Sequence, residues 1–208
     1  MLIKKIFGFT GMAILCFLVF SMTGEAKGAD TDLLKSVHGI EAGKGGDTDK
    51  EAFEPRLTAP ERSDAWYYEL NRYYTHGYGM PNCTAYAYGR AYEILGEESK
   101  LPTRGNAGSW YKTNKTSWDA EDTEISYPYG DTPKVGAIAC WDKNDDNWGH
   151  VAVVESIEDG VVTYSESQYG GLFFNTFERE LGDNSYWDGF NFKGFIYVLD
   201  DRKHITEE

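Results

Sequence analysis

The sequence predicts an α+β domain in which one helix is laid on an antiparallel sheet, and two observations carry that prediction. A single well-capped amphipathic helix can be read over residues 83–95, and from residue 135 onward the pattern changes to short β-rich runs. A leading helix followed by strands, rather than strands alternating with helices, places the helix on one face of the sheet.

Taken in order, Lys4 and Lys5 precede an apolar run over residues 6–20, and small residues gather around Gly24 and Ala26. That order reads as a signal peptide over residues 1–26, cleaved after Ala26. The run is broken by Gly8, Thr10 and Gly11 and is shorter than the ~20 residues a spanning helix needs, so no stable membrane insertion is expected after cleavage. Cys16 lacks the small residues that a lipoprotein cleavage box requires before its cysteine. Residues 27–60 hold Gly43-Lys44-Gly45-Gly46-Asp47 and almost no aromatics, and read as a disordered tether. A folded domain is expected over 61–201, its order starting near Trp66, with a polar tail over 202–208.

The formal charge is -14, and loss of the leader with Lys4, Lys5 and Glu25 makes it one unit more negative. So acidic a surface argues against nucleic acid and anionic lipid as partners. Only Cys83 and Cys140 survive processing, too few for a disulfide framework, so the core must come from burial.

Asn82 is a favoured N-cap and Gly96 a favoured C′ residue, and Cys83, Ala87, Ala91, Ile94 and Leu95 share a helix face between them. A shorter helix is expected over Gly108–Lys112, and strands over Val135–Trp141, His150–Ile157, Val161–Ser167 and Phe190–Leu199. No internal repeat is evident.

Cys83 opens the main helix, where unpaired amides and the helix dipole stabilise a thiolate and can donate to an oxyanion. His150 opens a strand and is the candidate base. Glu166 is the candidate acceptor that orients it. Register decides whether Glu166 can reach. A two-residue turn at Asp159-Gly160 pairs 158 with 161 and puts Glu166 on the face opposite His150, because side chains alternate. A three-residue loop with Gly160 as a left-handed bulge pairs 157 with 161, sets His150 opposite Gln168, and makes Glu166 its diagonal neighbour on the same face. The second register is expected.

Gly77-Tyr78-Gly79-Met80-Pro81-Asn82-Cys83-Thr84-Ala85-Tyr86-Ala87-Tyr88-Gly89-Arg90 resembles the nucleophile helix of the CHAP family (cysteine, histidine-dependent amidohydrolase/peptidase). Gly105-Asn106-Ala107-Gly108-Ser109-Trp110-Tyr111 resembles its GNA-x-x-W element, Pro133 to Ala139 its strand before the histidine, and Gly149-His150-Val151-Ala152 its histidine motif. The resemblance fits a papain-like fold; with the leader, the expectation is a monomeric, secreted enzyme of the extracellular space or cell wall. It would act on bacterial peptidoglycan as an N-acetylmuramoyl-L-alanine amidase or a peptide or cross-bridge endopeptidase, without a cofactor or metal chemistry. Glu166 would take the acidic position, and Gln168 stands where the family usually has Asn as a fourth catalytic residue. Some members bind calcium through aspartates before the nucleophile, whereas residues 72–82 contain no carboxylate. Asp142, Asp145 and Asp146 read instead as a solvated loop.

Trp148 and Tyr169 flank the catalytic positions and are candidate walls of a substrate groove, with Trp110 a third. A second class of function is a non-catalytic wall-binding module in which Cys83 and Cys140 form a disulfide. Cys140 alternates with Ile138 on an apparent buried strand, which favours a core role for it.

Overall fold

A computed structural model of the protein describes residues 53–102, 105–121, 126–143 and 146–200. The leader, the tether up to residue 52 and the tail lie outside the described residues. Among those described, no helix is long and apolar enough to cross a membrane.

Chain order is a 3-10 turn at Ala65–Tyr67, α1 (Arg72–Thr75), α2 (Cys83–Leu95), a 3-10 turn at Ala107–Ser109, α3 (Trp110–Asp119), and then β1 (Tyr129–Gly130), β2 (Ile138–Lys143), β3 (Asp146–Glu158), β4 (Val161–Glu166), β5 (Asn175–Glu180) and β6 (Phe190–Ile196). The strands form one six-stranded sheet in the order β1-β6-β2-β3-β4-β5. All its pairings are antiparallel. The α+β expectation is met.

Helix α2 has the predicted bounds and caps. The Asn82 side chain accepts from the Thr84 amide at 3.0 Å, and Gly96 is left-handed with φ 65°. Its buried face meets Ile138, Cys140, Val151, Val153 and Ile196 on one side of the sheet. The opposite side buries Ala139, Trp141, Ala152, Val154, Tyr164 and Phe195. Strands buried on both faces read as near-continuous apolar runs, which is why β3 shows Val151-Ala152-Val153-Val154.

Several elements differ from the sequence expectation, among them β3, which starts at Asp146 so that His150 lies within the strand rather than opening it. Helix α3 is twice as long as expected because its polar second half is held by tertiary contacts: buried Asn114 donates to the Tyr127 carbonyl at 2.8 Å and accepts from the Tyr127 amide at 2.9 Å. β5 is an edge strand with a half-exposed, charged sequence, so it lacks the apolar signal of a core strand. The ordered chain also starts earlier than residue 61. The Arg56 amide donates to Glu155 at 2.8 Å, Arg56 pairs with Glu93, Arg90 donates to the Glu54 carbonyl at 2.5 Å, and its guanidinium lies over the Phe53 ring. Low aromatic content hid this strap, because it is fastened by charge rather than by apolar burial.

The β3–β4 hairpin settles the register by a route different from the one expected. Its turn is the two-residue type, with Asp159 and Gly160 both left-handed (φ 49° and 79°) and Glu158 paired with Val161. Continued straight, that turn would put Glu166 on the wrong face. Between Val154↔Tyr164 and Ser156↔Thr163, however, Glu155 is an extra residue, and the bulge shifts every later pair by one. Val153 then faces Ser165, which returns the expected register around His150 and Glu166.

Glu155 is wholly buried at the bulge. It accepts from Arg90 Nε at 3.1 Å and Nη2 at 2.8 Å, from the Arg56 amide, and from Ser165 Oγ at 2.5 Å, while Tyr86 donates to Ser165 at 2.8 Å. A buried carboxylate so fully paired is costly to orphan. Arg90→Met should therefore destabilise the protein by about 3–5 kcal/mol in denaturant unfolding, and Arg90→Met with Glu155→Leu should recover a good part of that.

Candidate active site

Three chain segments converge at the start of α2. Cys83 sits at the first helical position, 6 % exposed, after the Asn82 cap. The Asn82 amide itself donates to Ser167 Oγ at 3.0 Å, which ties the segment before the cysteine to the end of β4. With the Asn82 carboxamide oxygen occupied by Thr84 N, the Cys83 amide is the helix-start donor nearest the sulfur.

His150 lies opposite Trp141 across the β2–β3 ladder. The residue before it, Gly149, packs against Gly108 of the 3-10 turn, and a Cβ on either glycine would drive into the other segment's backbone. This crossing explains the two glycines in the Gly105–Tyr111 and Gly149–Ala152 motifs: their contact sets where the imidazole begins.

The imidazole is buried between two partners. Its Nε2 donates to Glu166 Oε2 at 2.6 Å, which leaves Nδ1 as the nitrogen that can serve the neighbouring Cys83. Burial by itself disfavours the imidazolium, but the neighbouring Cys83 and Glu166 outweigh it and lift the His150 pKa from 6.5 to about 9. Burial would likewise raise the Glu166 carboxyl, yet its hydrogen bonds, led by that from His150, hold it below the ordinary carboxylate range. The arrangement can therefore supply a nucleophile, a proton donor and an orienting anion.

Glu166 accepts three further hydrogen bonds. Gln168 Nε2 donates to Oε1 at 2.6 Å, Asn175 Nδ2 to Oε1 at 3.2 Å and Tyr186 OH to Oε2 at 2.7 Å. Gln168 thus reaches the carboxylate rather than the imidazole. It is a positioning residue for Glu166.

Sequence reasoning missed Tyr186, Asn175 and Ser167. The Tyr186 ring stacks on His150, centroids 4.4 Å apart and planes 7° from parallel, and Trp187 stacks on Tyr186 at 5.0 Å. Both arrive on the loop between β5 and β6, whose only sequence signal is an aromatic pair.

Of the predicted groove residues, Trp148 and Tyr169 are 61 % and 71 % exposed and available to a ligand. Trp110 is not. Its side chain is wholly buried in the helix-side core beside Tyr73, centroids 6.2 Å apart, so it is a packing residue. Asp142 is not part of a solvated cluster either: it is buried, with Lys193 Nζ at 2.6 Å and Asn191 Nδ2 at 3.3 Å. Asp145 and the Asp146 side chain lie outside the described residues. Cys83 and Cys140 are unbridged.

Residues 73–168 match the family model for the CHAP domain. A protein of Streptococcus mutans serotype c named "Putative hydrolase" is 42% identical over 64 residues, which are 30% of this chain and 29% of that protein. The match spans under a third of the relative's length. No solved structure matches significantly.

Two outcomes follow from the geometry. Iodoacetamide should label Cys83 well ahead of Cys140, which is 1 % exposed and whose thiol burial pushes upward, and Tyr186→Ala should slow that labelling. Because the His150 pKa is raised from 6.5 to about 9 on folding, the folded state holds an extra proton in that window; its contribution to stability is complete below pH 6.5 and is lost as pH rises through about 9. Unfolding free energy should fall across this window in the wild type and fall less in Glu166→Gln.

Proposed function

From the premise that the chain carries a CHAP domain over residues 73–168, we propose that this protein is a secreted peptidoglycan hydrolase that cleaves amide bonds through Cys83. The observation that supports it most is the Cys83–His150–Glu166 set, with Nε2 of the imidazole committed to the carboxylate at 2.6 Å and Nδ1 left to serve Cys83 beside it.

In this reading the Cys83 thiolate attacks the carbonyl carbon of the scissile amide, and the Cys83 amide donates to the oxyanion. The His150 imidazolium gives its Nδ1 proton to the departing amine as the tetrahedral adduct collapses to a thioester. Neutral His150 then takes a proton from water, which attacks the thioester and releases the acid; the proton is retained on the ring and the thiolate is regenerated. Glu166 stays anionic throughout and keeps Nε2 protonated. Gln168, Asn175 and Tyr186 keep the carboxylate aimed, and Tyr186 keeps the ring plane.

The bond cleaved is an N-acetylmuramoyl-L-alanine amide or a peptide or cross-bridge amide. The leader read in residues 1–26 would deliver the protein to the wall. Trp148 and Tyr169 form exposed walls beside the cysteine and histidine, and Trp187, 55 % exposed above Tyr186, extends that rim.

Digestion of purified peptidoglycan by residues 27–208, beside a Cys83→Ala control, tests the reading. Mass spectrometry should find cysteine-dependent fragments whose new termini identify the bond. A folded protein that releases none from several wall types would favour a binding module instead. Trp148→Ala should raise KM more than it lowers Tm; a large loss of Tm at unchanged KM would remove Trp148 from the groove.

A further inference from the structure

The segment that leads into the nucleophile also builds a second feature. Arg72, His76, Tyr78, Asn82, Thr84 and Asn106 line a groove of about 530 Å³. That is within the ~300–1,000 Å³ range of ligand pockets. Asn82 and Thr84 are the chain neighbours of Cys83, so the segment that carries the proposed nucleophile also lines the groove. Trp148, Tyr169 and Trp187 are not among its lining residues.

Its chemistry runs against that of the whole chain. The protein carries 34 acidic and 20 basic side chains, yet the charged side chain lining this groove is Arg72, and among the described residues no carboxylate lines it. Glu98 engages Arg72 through Nε and is itself held by Tyr88 OH at 2.9 Å. A guanidinium has five N–H donors, so one such bond orients the group and keeps its terminal nitrogens for a second acid. His76 donates from Nδ1 to the Arg72 carbonyl at 2.7 Å, which fixes the ring against the backbone of the anchor residue. The Tyr78 side chain, 63 % exposed, and Asn106 add neutral hydrogen-bonding groups along the same wall.

We infer that this groove is a subsite for a carboxylate-bearing peptide segment next to the scissile amide, with Arg72 as its principal anchor. The peptide identity rests on the hydrolase reading; the preference for a carboxylate rests on the groove itself. Free acids of the wall peptide are then selected over their amides, because an amide gives the guanidinium only a neutral acceptor.

Binding separates the two readings, since it needs no turnover. The Cys83→Ala protein is titrated calorimetrically with soluble peptidoglycan fragments whose carboxylates are free, and with the same fragments after carbodiimide coupling to methylamine. The free acids should bind about ten-fold more tightly, as expected for one charge-assisted contact. Arg72→Gln in that background should abolish most of the preference, and Arg72→Lys should retain part of it, with circular dichroism confirming the fold of each. Equal affinity for the two fragment sets, no binding of either, or an unchanged preference in Arg72→Gln would each overturn the subsite. A persistent, Arg72-dependent preference would uphold it even if the wild type released no fragments, a result that would instead overturn the hydrolase reading.

Discussion

The buried ion pair between Arg90 of α2 and Glu155 of β3 is the constraint on which the site geometry rests. Arg90 is two helical turns from Cys83 and on the same side of α2, so the helix cannot pack its nucleophile end against the sheet without also burying a guanidinium. Glu155 meets that charge by standing out of the β3 ladder as a bulge. The bulge in turn moves β4 by one residue. A contact that looks like structural housekeeping therefore decides which side chain of β4 faces His150.

The same network extends to the chain before the domain. The Arg56 amide and the Glu54 carbonyl close the last positions around Glu155 and Arg90, and Tyr67 OH donates to Glu93 at 2.8 Å beside them. Charges removed from water need every lone pair and proton satisfied, and the strap supplies partners that α2 and the sheet lack. The strap is thus part of the folded unit although the matched family region starts at residue 73.

Around His150 the protein solves a related problem with aromatic surface. An imidazolium held at a pKa of about 9 inside the fold needs stabilisation that outweighs its burial, and Cys83 and Glu166 provide it. Tyr186 braces the arrangement, its ring against the imidazole and its hydroxyl on the carboxylate. One residue from a distant loop thereby couples ring orientation to the state of the acid. The Cys83 side is built differently, from the Asn82 cap and Ser167, with hydrogen bonds in place of stacked rings.

The sequence by itself determined the elements whose causes are local. Asn82 and Gly96 mark the ends of α2 because capping involves residues only a few positions away. Buried β runs announce β2, β3, β4 and β6 through composition. Cys83, His150 and Glu166 stand out because a cysteine at a helix start, a histidine on a strand and a carboxylate on the next strand are local signals of one chemistry. What only the tertiary structure decided depends on residues far apart in the chain. The Glu155 bulge answers an arginine 65 residues away, so the turn sequence alone pointed to the right register by the wrong device. Burial of Trp110, the reach of Gln168 to Glu166, the extent of α3 and the arrival of Tyr186 follow from packing between segments. No periodicity records such contacts, because each is made only once the sheet and helix have met.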